Sequence, residues 1–220
     1  IDQAVEGVVN GIFFNQGHVC CAGSRLFVQE SVAEEVIQKL KDRLDTLYVG
    51  DPLDKNTDIG AINSKEQLET IQKYIKIGKD EGASMYESSC EIPKKGYFVR
   101  PTLFTDVAQS SRIAQEEIFG PVMAVLDFED EAEVVARANN TSFGLAAGIF
   151  TNNLTRAHRV IAALEAGTCW INTYNITPIE MPFGGNKQSG LGRENGKAAI
   201  EHYTQLKSVY VAMEPIDAPY

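Results

Sequence analysis

The stretch Leu26-Phe27-Val28-Gln29-Glu30-Ser31-Val32-Ala33-Glu34-Glu35-Val36-Ile37, with its continuation to Leu47, decides the fold class. Leu26-Phe27-Val28 is a short apolar run of strand type. Ser31 and Glu34 have the spacing of a capping box. Val36, Ile37, Leu40, Leu44 and Leu47 then recur on one side of a helix, which Gly50-Asp51-Pro52 is expected to stop. A strand that runs straight into an amphipathic helix is the repeating unit of α/β folds.

The same alternation extends in both directions. Upstream, Val5, Val8, Val9 and Ile12 follow helical spacing, Phe13 and Phe14 extend the apolar part, and Asn15-Gln16-Gly17 breaks it. Downstream, Ser64 with Gln67 marks a helix start, Leu68, Ile71 and Ile75 face inward, and Gly82 ends the element. Strands are expected over 83–86 and 122–128, with an extended segment over 97–105 that Pro101 places at an edge or a bulge. A helix over 131–139 turns Val134 and Val135 inward, a strand covers 145–151, a helix covers 154–164, and Cys169-Trp170-Ile171 opens a further strand. The pattern predicts an α/β fold with a mainly parallel sheet and helices on both faces. A glycine-rich loop begins at Pro182, and a short helix is expected over 194–202. Leu206–Met213 reads as a strand with no helix after it, free to seek the edge of another subunit.

Of 220 residues 44% are hydrophobic, the proportion of an ordinary globular chain. Thirty acidic against 20 basic side chains give a formal net charge of -10, which repels phosphate and anionic lipid. The short lysine runs at 39–41 and 94–95 read as solvated faces, so neither nucleic acid nor membrane is an expected partner. No apolar run reaches the roughly 18 residues needed to span a bilayer. Cys20, Cys21, Cys90 and Cys169 do not form a disulfide framework, so reduced thiols in the cytoplasm are the expectation. His18, His158 and His202 lack metal-ligand spacing, and no metal is expected.

Gly17-His18-Val19-Cys20-Cys21-Ala22-Gly23 is the segment richest in chemistry. It lies between an apolar helix and a strand, and its small residues leave room for a substrate beside the main chain. A thiolate here can attack a carbonyl carbon, with backbone N–H groups to stabilise the oxyanion. The alternative is a cysteine buried as a small hydrophobe. Adjacent side chains in an extended turn point apart, so the two cysteines cannot share one role. His18 suits a base by residue type, although a solvent-exposed histidine fits equally well.

Phe13-Phe14-Asn15-Gln16-Gly17-His18-Val19-Cys20-Cys21-Ala22-Gly23-Ser24-Arg25 resembles the active-site cysteine segment of aldehyde dehydrogenases. Glu116-Glu117-Ile118-Phe119-Gly120-Pro121-Val122 resembles that family's cofactor-contacting segment, and Pro182-Phe183-Gly184-Gly185-Asn186-Lys187-Gln188-Ser189-Gly190 its late Pro-Phe-Gly-Gly motif. The resemblance implies that Cys20 is the nucleophile, passing through a thiohemiacetal and a thioester as an aldehyde becomes a carboxylic acid. It implies that Glu117 holds the nicotinamide ribose hydroxyls of NAD or NADP and that Phe119 packs beside that ribose. Their plainer readings are a surface acid and a core phenylalanine. Trp170, Ile176, Thr177 and Phe183 are the implied aldehyde pocket, with Trp170 and Phe183 equally readable as core. Tyr174-Asn175-Ile176-Thr177-Pro178 resembles enzymes acting on betaine aldehyde and 4-trimethylaminobutyraldehyde, and also a branch with tandem or extended units.

The resemblance further divides the chain into a partial catalytic domain, residues 1–205, and an oligomerisation strand and tail, residues 206–220, that supports a homodimer or homotetramer. The family's N-terminal dinucleotide-binding domain, its water-activating glutamate and its oxyanion-hole asparagine find no match in this sequence. The chain alone is therefore expected to be nearly inactive and to hold little or no cofactor. A catalytically silent assembly module and a cysteine-dependent esterase or acyl transferase are the alternatives.

Overall fold

The structure is a computed structural model that describes residues 1–219. Helix α1 (Asp2–Phe13) buries Val5, Val9, Ile12 and Phe13 on one stripe and leads through a 3-10 turn (Phe14–Gly17) into the cysteine segment. Strand β1 (Arg25–Gln29) passes directly into α2 (Glu30–Asp45), whose Val36, Leu40 and Leu44 are buried. Then follow α3 (Lys65–Asp80), β2 (Ser84–Glu87), β3 (Thr102–Thr105), the single turn α4 (Arg112–Gln115) and β4 (Val122–Phe128). The second half holds α5 (Glu131–Asn139), β5 (Phe143–Gly144), β6 (Ala146–Ile149), α6 (Leu154–Ala163), β7 (Thr168–Ile171), β8 (Asn186–Lys187) and α7 (Ile200–Tyr203).

The main sheet has the order β1-β4-β3-β2. β4 pairs parallel with β1 and β3, and β2 closes the edge antiparallel to β3. Side chains of β4 alternate between two cores, as the strand period requires. Met123 and Val125 join Val5, Val9, Ile12, Leu40 and Leu44 from α1 and α2. Val122, Ala124 and Leu126 join Ile71 of α3 and Ile113 of α4 on the other face. Helices thus cover both faces. β6 and β7 form a separate parallel pair, and β5 and β8 a short antiparallel one, so the expected single sheet is divided.

Several local expectations are corrected. Ser31 is no cap: β1 feeds α2 without a loop, Gln29 takes the cap position with no side-chain hydrogen bond, and Ser31 lies within the first turn. That helix stops at Asp45, short of Gly50. Ser64 does cap α3, accepting the Gln67 N–H at 3.1 Å, and Asp130 caps α5 through Glu133 N–H at 2.9 Å. β3 is interior rather than an edge, because Pro101 precedes its first paired residue and only its carbonyl is needed, by Ser88 N–H at 3.0 Å. Val134 and Val135 are only half-buried, since α5 faces an open cleft. The expected helix over 194–202 shrinks to a 3-10 turn (Lys197–Ala199) and α7.

The tail stands apart from the rest of the single chain. No strand forms over Leu206–Met213; these residues are exposed, Val209 and Val211 at 74% and Tyr210 at 94%. A strand exists only through its ladder, and among the described residues no edge pairs with this segment. Tyr220, the last residue of the expected tail, lies outside the described residues.

Among the described residues no helix is long and apolar enough to cross a membrane, and no group of three or more His, Cys, Asp or Glu side chains is placed to hold a metal ion.

Candidate active site

The chain leaves α1 through three consecutive left-handed residues, Asn15 (φ 51°), Gln16 (φ 49°) and Gly17 (φ 77°). Two of them carry side chains in a conformation that favours glycine, a local cost that clusters at functional sites. Asn15 closes the turn, its carbonyl accepting the His18 N–H at 2.9 Å and its Nδ2 donating to the His18 carbonyl at 3.1 Å. A second turn, with Ala22 N–H donating to Val19 O at 3.0 Å, presents the two cysteines at its corner. Cys20 is exposed and Cys21 is buried. Neither the Cys20 nor the Cys21 N–H has a hydrogen-bond acceptor among the described residues.

The segment from Glu116 to Gly120 runs against this turn. Arg112 grips Glu116 through two hydrogen bonds of 2.7 Å, and Tyr74 adds its hydroxyl at 2.6 Å, which holds the Glu116 carboxyl down at about 2. Gln67 Nε2 donates to the carbonyls of Ile118 (2.9 Å) and Phe119 (3.0 Å), tying the segment to α3. Ile118 is buried, so its neighbours Glu117 and Phe119 both turn outward. Phe119 also has a left-handed backbone, φ 56°, which is an outlier for a bulky side chain. Its ring stacks on His18, centroids 5.5 Å apart and planes 16° from parallel. Burial pulls the His18 pKa down, and its Nε2 has no hydrogen-bond partner among the described residues. Glu117 makes neither an ion pair nor a hydrogen bond there. Gly17 is what lets the two segments touch: a Cβ on it would lie 2.2 Å from the Gly120 carbonyl oxygen.

Cys20, Glu117 and Phe119 line one cleft of about 1020 Å³, which also takes in β1 and β6. Trp170, Ile176, Thr177 and Phe183 are not in that lining. Trp170 is 6% exposed, and its indole N–H donates to the Ile176 carbonyl at 2.8 Å. Ile176 and Thr177 are exposed, and half-buried Phe183 is bridged to Glu194. They connect to the cysteine turn through Tyr174, whose ring lies 4.5 Å from Trp170 and whose hydroxyl donates to the Cys21 carbonyl at 2.9 Å. The roles of Tyr174, Asn175, Gln67 and Asn10 in holding the site carry no local sequence signal, because each contact spans 51 to 165 residues.

Comparison with known proteins shows the family. The model of the aldehyde dehydrogenase family matches residues 1–209. The betaine aldehyde dehydrogenase of Cereibacter sphaeroides is 53% identical over 220 residues, which is 100% of this chain and 46% of that enzyme. An NAD+ complex of aldehyde dehydrogenase from Bacillus cereus superposes with a TM-score of 0.93 at 45% identity, covering 97% of this chain and 43% of that one. The NAD-dependent aldehyde dehydrogenase of Sinorhizobium meliloti gives 0.95 at 38% identity, covering 100% and 44%. The chain therefore spans about half the length of the relatives it matches. With the family model covering nearly every residue and the thiol turn seated on its Glu117–Phe119 neighbour, this chain belongs to the aldehyde dehydrogenase family.

Proposed function

We propose that this chain carries the thiol centre of an NAD(P)-dependent aldehyde dehydrogenase that converts an aldehyde of the betaine aldehyde type to its carboxylic acid. The observation that carries this reading is the exposed Cys20 on a turn wedged against Glu117–Gly120, with both segments lining one cleft.

Cys20 sulfur forms a bond to the aldehyde carbon as the carbonyl π pair moves to oxygen. The N–H groups of Cys20 and Cys21, without an acceptor among the described residues, are the local donors for that oxyanion. The residues facing the cleft fit a nicotinamide nucleotide: Glu117 is a carboxylate without a partner among the described residues, able to accept from two ribose hydroxyls, and Phe119 offers an exposed aromatic face. When bound, that group supplies the acceptor for hydride leaving the former carbonyl carbon. Cys20 is then an acyl carrier; water adds to its thioester, the C–S bond breaks, and sulfur departs with the electron pair.

Trp170, Ile176, Thr177 and Phe183 are assigned to the aldehyde tail, supported by the Trp170–Tyr174 contact that joins them to the cysteine turn. Aromatic faces suit a quaternary ammonium group. The uncovered apolar tail at Leu206–Met213 supports assembly of two or more copies.

The test measures NADH formation from betaine aldehyde by the protein that carries this chain. Cys20→Ala should lower kcat by at least about 1,000-fold, as loss of a nucleophile does, while Cys21→Ala retains turnover. An active Cys20→Ala enzyme would remove Cys20 from the mechanism.

A further inference from the structure

Two thiols stand side by side at the corner of the turn, and a nucleophilic role for Cys20 leaves the second unexplained. We propose that Asn175 is a positioning residue that engages the Cys21 thiol as a hydrogen-bond donor and so directs electrophiles to Cys20 alone. This assignment rests on the reading of Cys20 as the nucleophile.

The contact is built from both ends. Asn175 Nδ2 donates to the Asn10 carbonyl at 2.9 Å, so the other end of the amide, Oδ1, is turned toward the turn. There it accepts from Cys21 Sγ at 3.4 Å, within reach for a sulfur donor. Asn10 reciprocates with its own amide, donating to the Tyr174 carbonyl at 3.5 Å. Asn175 has φ 60°, a conformation that asparagine tolerates better than most residues. The preceding residue locks the backbone of the same cysteine through the 2.9 Å bond from Tyr174 Oη to the Cys21 carbonyl. Its ring is seated against three glycines, where a Cβ on Gly148, Gly11 or Gly23 would lie 2.8, 3.2 or 3.5 Å away.

A thiol that donates must keep its proton, and the protonated form is the poor nucleophile. Burial first, and then the neighbouring Cys20, push the Cys21 thiol up to about 11 from 9.0. Its thiolate at pH 8 is then roughly 100-fold scarcer than that of an ordinary cysteine. Burial alone would give the same sign, so the separate contribution of Asn175 must be read from substitutions that remove only the acceptor.

The probe is iodoacetamide, with site-resolved mass spectrometry on the folded protein between pH 7 and pH 10. In the wild type the exposed Cys20 should be alkylated at least about ten-fold faster than the buried, proton-holding Cys21 at pH 8. Asn175→Gly keeps the left-handed backbone and deletes the acceptor. Selectivity should fall roughly ten-fold, the worth of one hydrogen bond, with the Cys21 labelling profile moved to lower pH. Asn175→Asp restores an acceptor and should restore selectivity. Unchanged selectivity in Asn175→Gly with a wild-type far-UV spectrum overturns the role of Asn175 and leaves Cys20 as nucleophile. Should Asn175→Gly not fold, Asn175→Asp carries the test: a carboxylate accepting from the same thiol at 3.4 Å should move Cys21 labelling to higher pH, and an unchanged profile overturns the role. An inert Cys20 in the wild type would instead remove the nucleophile assignment itself.

Discussion

Replacing Gly17 by alanine should separate the cysteine turn from the segment that carries Glu117 and Phe119. Two costs add. Alanine at φ 77° adopts a left-handed backbone at a cost of about 1–2 kcal/mol. The new Cβ would also stand 2.2 Å from the Gly120 carbonyl oxygen and 2.4 Å from its carbon, both backbone atoms that cannot rotate away. Opening that contact to an ordinary separation is an overpacking change of about 1–3 kcal/mol. The sum, about 2–5 kcal/mol, is a large part of the 5–15 kcal/mol that holds a typical domain. Gly82 supplies the control: its φ is 89° and nothing lies within 4 Å of the place a Cβ would take, so Gly82→Ala carries the conformational cost without the collision. Urea titrations followed by far-UV circular dichroism would compare the two variants with wild type. Gly17→Ala should lose about 1–3 kcal/mol more than Gly82→Ala, and only Gly17→Ala should alter the rate at which Cys20 is alkylated. Equal losses in the two variants would refute the argument that the turn and the Phe119 segment are held in direct backbone contact.

Two further outcomes follow from the geometry. Burial lowers the His18 pKa, so below about 6.5 the unfolded chain takes up that proton before the folded one; stability should fall as pH drops from about 6.5 toward the depressed folded value and then level off. His18→Phe keeps an aromatic partner for Phe119 and should flatten this component of the urea midpoint between pH 7.5 and pH 5.5; an unchanged slope would remove His18 as its source. The exposed tail should be covered by association, so light scattering after size exclusion should give a mass of two or more copies, and Val209→Asp with Val211→Asp should lower it; a clean wild-type monomer would count against assembly through this segment.

The alternation of strands and helices was legible because each element announces itself locally. Ser64 and Gln67 are three residues apart, and the stripe of α2 repeats within one helix. What sequence could not supply is pairing. Nothing near Ala146–Ile149 says that this strand joins β7 and stays apart from the main sheet, and nothing in Leu206–Met213 says whether a ladder partner is within reach. The site divides in the same way. Cys20, Glu117 and Phe119 sit in segments that resemble a known family, and the structure brings all three to one cleft. By residue type His18 suits a base or a solvated side chain, yet its ring lies on Phe119, a contact across 101 residues of chain that no spacing rule reports. Tyr174 and Asn175 stood out as part of a stretch resembling betaine aldehyde enzymes, while their hold on Cys21 emerges only once the chain has folded.

The seat of Tyr174 has a consequence for how this protein can change. One phenol ring packs where side chains are missing at Gly11 in a helix and Gly148 in a strand, beside Gly23 in the link between the cysteine turn and β1. Bulk at position 174 and its absence at 148 and, less strictly, at 11 are thus a single property divided among three distant places. A methyl group gained at 148 would drive the ring out, one at 11 would press it by a few tenths of an ångström, and one at 23 would only touch it, while a smaller residue at 174 would leave all three facing a void. Substitutions at 174, 148 and 11 should be tolerated best in concert, since the ring and the two close glycines are sized by one another.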